Sequence, residues 1–314
     1  MGEVRTMDIA SGRGVSVFLT GGTGFVGRYV ARHLAERGHR LRALVREPET
    51  AVALRERGAE LVRGDISREA GLDAVIAGCD VVVHLVGIIR ERPPAVTFEG
   101  VHTRGTLRVL EAARRSGVQK FVHMSALGAS PQGTAYQRTK YEAEELVRRS
   151  DLPYAIFRPS IIVGEGGEFV DMLLRLLRLL PVTPVIGDGS YRLQPVDVED
   201  VAAAFALAVE RDDLAGECYE IGGPHKLTYN RILEIVCEEF RLQRPRLHVP
   251  VRLISPFVEL ATNWRLPTPI NSEQLTMLLE ESIVPGEKNV LRETFGIDPT
   301  PFRSVLQRLV GDKG

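Results

Sequence analysis

One stretch near the start of the chain constrains its fold more than any other. The apolar run Val15–Thr20 leads directly into Gly21-Gly22-Thr23-Gly24-Phe25-Val26-Gly27, and an amphipathic segment follows. A strand that turns sharply into a helix needs glycine at set places. Gly21 permits the tight turn, Gly24 lets an anionic group approach the backbone, and Gly27 lets the helix lie close against the sheet. The free amides of the helix N-terminus, reinforced by the helix dipole, then hold a phosphate-like anion. Three spaced glycines alone are weak evidence. Between a strand and a helix, at the first crossover of an alternating chain, they read as a dinucleotide cradle formed by Gly21, Thr23, Gly24, Phe25, Val26 and Gly27.

The rest of the first half supports that context. Short apolar runs recur at Leu41–Val45, Glu60–Arg63, Val81–Leu85, Phe121–Met124 and Tyr154–Phe157. They are rich in valine and leucine and mostly do not alternate, as expected of parallel strands covered on both faces. Helical patterns over Gly24–Arg37, Glu49–Arg57, Arg68–Ala77, Phe98–Ser116 and Ala135–Arg149 lie between them, several closed by a glycine (Gly38, Gly58, Gly78, Gly117). The expected fold class is α/β: a Rossmann-type doubly wound parallel sheet with a smaller, mostly helical C-terminal substrate region. The expected organisation is a leader over 1–14, with Met7 as an alternative start, and a nucleotide-binding domain over 15–160 to which 190–223 returns. A C-terminal region covers 161–189 and 224–314, with helical patterns at Val198–Glu210, Tyr229–Phe240, Pro256–Asn263, Ser272–Glu280 and Phe302–Leu309.

Composition narrows the function classes. Net charge is -1, with no basic excess, so nucleic acid is not an expected partner. Cys79, Cys218 and Cys237 stand far apart and read as small buried apolar residues in a reducing, cytoplasmic setting. The seven histidines lack metal-ligand spacing, so no metal is expected. Met172–Leu180 and Pro250–Trp264 are apolar stretches with few charges, open to two readings: helices packed over a substrate cleft, or a surface resting on a membrane.

Two further positions carry chemistry. Arg46 follows strand two, where an acid would bind the adenosine ribose of NAD(H). A guanidinium there pairs with a 2′-phosphate and favours NADP(H), although Glu47 lies one residue on. Tyr136 and Lys140 are four residues apart at the start of a helix, on one face. Such an ammonium lowers the phenol's pKa so that it can exchange a proton. Ser125, ending strand five, either orients a substrate carbonyl or hydroxyl, or caps the strand. Glu142, Glu144 and Glu145 read as a solvated face.

With these residues in order, the chain resembles the short-chain dehydrogenase/reductase superfamily in its extended or atypical branch, from Val15 to Gly223. Gly64-Asp65-Ile66 and Arg158-Pro159-Ser160 fall where that family has them. The resemblance implies that Asp65 and Ile66 contact adenine, that Leu85, Val86 and Gly87 line the cofactor, and that Pro159, Ile161 and Ile162 border the nicotinamide. It also implies that Lys140 binds the nicotinamide ribose. Within the superfamily, His102, Gly105-Thr106, Ser125–Ala129 and Arg158–Ile162 are similar to the NAD(P)-binding accessory subunit of respiratory complex I and its bacterial relatives. The resemblance there implies a protein that holds NADPH for structure. Most sugar epimerases of the branch have asparagine where His102 stands, and a second hydroxyl where Ala126 stands. Three functions follow: an NADPH-dependent oxidoreductase acting on an unidentified small-molecule substrate, an NADPH-holding subunit of a protein complex, and an NAD-dependent nucleotide-sugar epimerase. Arg46 and Ala126 speak against the third.

Overall fold

The computed structural model describes residues 14–68, 71–254 and 272–311. In chain order, the strands β1 (Ser16–Thr20), β2 (Arg40–Val45), β3 (Glu60–Arg63), β4 (Val81–His84), β5 (Lys120–Met124) and β6 (Tyr154–Pro159) alternate with helices. These are α1 (Phe25–Glu36), α2 (Val52–Glu56), α3 (Leu72–Ile76), α4 (Arg104–Arg115) and α5 (Ala135–Arg148). There follow β7 (Ile162–Val163), α6 (Glu168–Leu179), β8 (Thr183–Ile186), β9 (Arg192–Leu193), β10 (Val196–Asp197), α7 (Val198–Glu210) and β11 (Glu217–Ile221). The chain ends with β12 (Leu227–Thr228), α8 (Tyr229–Glu239), β13 (Arg246–Val249), α9 (Ser272–Leu279), α10 (Val290–Glu293) and α11 (Phe302–Gly311).

Seven strands form one sheet in the order β11-β6-β5-β4-β1-β2-β3, reversing direction of growth at β1/β4 as a doubly wound sheet does. The pairings among β1–β6 are parallel. β11 joins the edge in the same sense, with Gly216 N–H on Tyr154 O at 2.6 Å and Ser160 N–H on Ile221 O at 2.9 Å. The alternation of runs and amphipathic stretches is therefore the fold expected. β1 and β4 run side by side with Val17 opposite Val81 and Leu19 opposite Val83, all fully buried, which is why the strands show no polar face.

The chain divides into two compact units. The first comprises the residues through Ser125, Thr139–Phe157 and Ala202–Cys218; the second comprises Ala126–Arg138, Arg158–Val201 and the residues from Tyr219 on. The segment that returns to the first unit, Ala202–Cys218, is shorter than the 190–223 expected from sequence. The first unit is built on Phe18, Val82, Phe121 and Ile156 of the strands, against Val109, Leu110 and Ala113 of α4. The second packs Leu173, Leu174 and Leu177 of α6 against Ile232 and Val236 of α8 and Val305 and Leu306 of α11. Within the apolar stretch Met172–Leu180, Leu173, Leu174 and Leu177 are thus core, while Arg175, Arg178, Leu179 and Leu180 stay exposed.

The second unit carries the helices expected of the C-terminal region and, beside them, the two-stranded pairs β7–β10, β9–β12 and β8–β13. Pro184 lies inside β8; a two-stranded pair tolerates a residue with no N–H to donate. The helix read over Arg68–Ala77 narrows to Leu72–Ile76, and that over Phe98–Ser116 opens with a π-helical turn at Glu99–Thr103. The helical pattern at Pro256–Asn263, most of Pro250–Trp264 and nearly all of the leader lie outside the described residues. Among the described residues, no helix is long and apolar enough to cross a membrane.

Candidate active site

The glycine turn after β1 shows what each glycine is for. Gly21 has φ +76°, and a Cβ on it would sit 2.9 Å from the carbonyl carbon of Leu85. A Cβ on Gly27 would sit 2.0 Å from Gly21 O, so no other residue fits there. Gly24 is different: it is exposed, and a Cβ would meet only Gly21 O, at 3.2 Å. The fold tolerates a side chain at Gly24, and the space beside it is what an anion would use. α1 begins at Phe25 with no side-chain cap and no acid in its first turn, so nothing on the helix itself competes for its amides. The residues fit a pyrophosphate. Thr23 is exposed beside Gly24, Phe25 is half-buried edge-on to Tyr29, and Val26 is buried.

Beyond β2, Arg46 and Glu47 are both exposed, and Arg46 makes no hydrogen bond or ion pair among the described residues. Asp65 accepts a hydrogen bond from Ser67 N–H at 2.8 Å, a turn that leaves its second oxygen unengaged. Ile66 is buried against Gly105, where a Cβ would come within 2.7 Å of its Cδ1. Leu85 extends the β4 ladder through its N–H to Thr20 O, and the chain then emerges through half-buried Val86 to exposed Gly87.

Lys140 lies in the same unit and is nearly fully buried. Its Nζ donates to Met124 O at 3.1 Å and would lie 3.0 Å from a Cβ placed on Gly87. Burial pushes the ammonium down to about 8, with Glu144 opposing. Tyr136 precedes it by one turn of α5 and belongs to the second unit. Burial pushes the phenol up to about 12, opposite to the lowering expected from a neighbouring ammonium. Desolvation penalises the charged form of the phenol.

Ser125 is 3 % exposed, and its hydroxyl donates to the Glu144 carboxylate, whose other oxygen accepts from Arg148 Nη2 at 2.9 Å. Of the two readings left open for Ser125, this geometry favours the structural one. It also corrects the reading of Glu144 as part of a solvated face, because Glu144 is wholly buried. Lys140, Glu144 and Val147 fall on one face of α5, so the helical spacing that leaves Glu145 half-buried buries Glu144.

Sequence reasoning places His84, His102 and His123 on or beside core elements but does not read the hydrogen bonds and stacking they make. The His84 Nδ1 faces Thr20 Oγ1 at 2.7 Å and its Nε2 faces Thr106 Oγ1 at 3.1 Å. His123 stacks on it with centroids 5.5 Å apart, and both His123 nitrogens are buried without a hydrogen-bond partner. The His102 Nε2 accepts from Ile88 N–H at 3.1 Å, so its Nδ1 must carry the proton given to Thr139 Oγ1 at 3.0 Å. His102 thereby ties the loop after Gly87 to α5 beside Lys140. Burial and then Lys140 push His84 down to about 3 and His102 to about 2; burial, with His84 next, also holds His123 well below the ordinary imidazole range. The only sequence signal was a histidine within or beside an apolar strand.

In the second unit, Pro159 O accepts from Leu127 N–H and Ile161 O from Val196 N–H, both at 2.9 Å, and Ile162 pairs with Val196 in the β7–β10 ladder. Pro159 is buried, and Ile161 and Ile162 are half-buried.

Comparison with known proteins shows the family and the fold. The family described as "NAD dependent epimerase/dehydratase family" matches residues 17–222. A ceramide reductase of Caulobacter vibrioides is 37 % identical over 195 residues, 61 % of this chain, which spans only 59 % of that protein's length. The mitochondrial NADH dehydrogenase [ubiquinone] 1 alpha subcomplex subunit 9 of Arabidopsis thaliana is 28 % identical over 287 residues, covering 86 % of this chain and 71 % of that protein. The crystal structure of gox2253 superposes with a TM-score of 0.76 at 26 % identity, covering 94 % of this chain and 97 % of its own.

Proposed function

This chain belongs to the NAD dependent epimerase/dehydratase family, and on that premise we propose that it is an NADP(H)-dependent oxidoreductase acting on a small-molecule carbonyl or alcohol. The observation that carries this reading is Lys140. Holding that buried ammonium charged at neutral pH costs the fold about 3 kcal/mol, from a pKa brought down to about 8. A chain that only packed would have no use for it.

In this reading the Gly21–Gly27 turn holds the pyrophosphate, Arg46 the 2′-phosphate and Asp65 with Ile66 the adenine. Leu85, Val86, Gly87, Pro159, Ile161 and Ile162 line the remainder. When bound, NADP(H) supplies or takes up the hydride. Tyr136 carries the accompanying proton, and a phenol held protonated up to about 12 suits the donor role of a reductase. Lys140 holds the ribose and stabilises the phenolate once the proton has left. Ser125 and Glu144 hold α5 against β5 and stay outside the proton path.

A second reading, an NADPH-holding subunit of a larger assembly, is favoured by one observation. The Arabidopsis subunit aligns with 86 % of this chain, against 61 % for the ceramide reductase. Tyr136→Phe separates the two. It keeps the ring and the helix, so nucleotide affinity should hold while turnover of ketone, enone, quinone or ceramide-like substrates falls on the order of 10²–10⁴-fold. No turnover by the parent protein on any of them, with full complementation of a deletion strain by Tyr136→Phe, would refute the oxidoreductase reading.

A further inference from the structure

Four of the exposed large apolar side chains in the described residues belong to two segments of the second unit, 179–180 and 247–253. Leu179 is 80 % exposed, Leu253 56 %, Leu247 52 % and Leu180 37 %. One strand pairing links the two segments. β13 runs parallel to β8 with Leu247 opposite Pro184 and Val249 opposite Ile186, so these four residues share one face of the pair. That face is the outer one, since Thr183 and Val185 on the opposite side are buried. Leu179 and Leu180 lead into β8 from the end of α6, where Arg244 Nε donates to Leu177 O at 3.3 Å, and Leu253 follows β13. The core of the unit has already taken Leu173, Leu174 and Leu177 from α6, so the exposed leucines are surplus to packing.

The segments that carry these leucines are basic, with Asp188, which interacts with His248 of β13, an acid just beyond them. Residues 172–182 contain Arg175 and Arg178 and no acid; residues 241–254 contain Arg241, Arg244, Arg246 and Arg252 and no acid. The whole chain has 40 basic and 41 acidic residues, so this is a local segregation and not the average composition. Arg246 is paired with Glu234 at 2.8 Å, while Arg175, Arg178, Arg241 and Arg252 are exposed and make no ion pair among the described residues. Two copies meeting through this face would set arginine against arginine, because a two-fold interface uses the same patch twice.

We propose that this face docks on an anionic phospholipid membrane surface, the leucines entering the headgroup boundary and the unpaired arginines facing lipid phosphates. Exposed leucine flanked by arginine is the composition that an interface between apolar tails and anionic headgroups selects. Docking needs neither turnover nor a bound nucleotide and goes beyond the oxidoreductase reading.

Co-sedimentation of the full chain with vesicles tests it, comparing phosphatidylcholine alone with equal parts phosphatidylcholine and phosphatidylglycerol. The protein should pellet with the anionic vesicles, and raising salt should release it. A basic residue near an anionic surface is worth roughly fivefold in partitioning, so Arg175→Gln, Arg178→Gln and Arg252→Gln together should lower it on the order of a hundredfold. Leu179→Ser with Leu253→Ser should lower it at least tenfold while leaving NADPH affinity unchanged, a control for folding. Binding to neither vesicle, or equal binding to both, would overturn the proposal. So would a dimer in solution that the leucine substitutions dissociate, since that would make the face a self-contact.

Discussion

The three buried histidines make this fold sensitive to acid in a way that can be computed from their burial. In the folded chain His84 and His102 are held down to about 3 and about 2, and His123 lies well below its ordinary value. An unfolded chain takes up protons on all three as pH falls through about 6.5. The folded chain refuses them, so the unfolded state binds more protons and stability falls as pH falls. Above pH 6.5 both states are neutral and the three contribute no pH dependence. Below about pH 6 each costs about 1.4 kcal/mol per pH unit, and the three together cost about 4 kcal/mol per unit. Against a net stability of about 5–15 kcal/mol, the native state should be lost between about pH 5 and about pH 3.

Carboxylates also titrate in that range, so the attribution rests on a difference. His123→Leu nearly conserves volume and removes two buried nitrogens without partners. It should stabilise the protein at pH 7.5 by about 1–2 kcal/mol. Measured by urea unfolding from pH 7.5 to 5, its advantage over the parent should then widen by about 1.4 kcal/mol per pH unit below pH 6. A gap that stays constant with pH would show that His123 is protonated in the folded chain, or that the site opens before it charges, and would refute the argument.

Other outcomes follow from the cradle and the cofactor reading. Gly24→Val should fold, because a Cβ there has only one contact, and lose nucleotide binding by calorimetry; Gly27→Ala should fail to form the turn at all, its Cβ lying 2.0 Å from Gly21 O. Retained binding in a folded Gly24→Val would remove the cradle from the mechanism. The parent protein should bind NADPH at least about tenfold tighter than NADH, roughly 1.4 kcal/mol, and Arg46→Asp should erase or reverse that preference. Lys140→Met should raise thermal stability at neutral pH by relieving the buried ammonium, while weakening nucleotide binding and turnover. A fall in melting temperature would show that the hydrogen bond to Met124 O outweighs desolvation.

How much of this was legible beforehand depended on the reach of each interaction along the chain. α7 runs over Val198–Glu210 as its pattern implies, and β3 over Glu60–Arg63, because strand and helix periodicity are written in neighbouring residues. Gly21 and Gly27 were equally plain, since a backbone conformation or a close approach of one turn to the next needs only seven residues to specify. Ser125 and Glu144 were not: 19 residues separate them, and only the packing of α5 on β5 turns a helical acid inward to meet a strand-end hydroxyl. The fate of Met172–Leu180 was similarly undecidable, because leucines at helical spacing look alike whether a core takes them or not. Local periodicity, glycine placement and the order of strands and helices thus belonged to the sequence by itself. The pairing of β8 with β13, Thr183 opposite Arg246, decided which leucines stayed outside. The stacking of strands β4 and β5 decided that His84 and His123 lost their water together. Burial is a property of what lies on the other side of a side chain, and that neighbour is chosen only when the whole chain has folded.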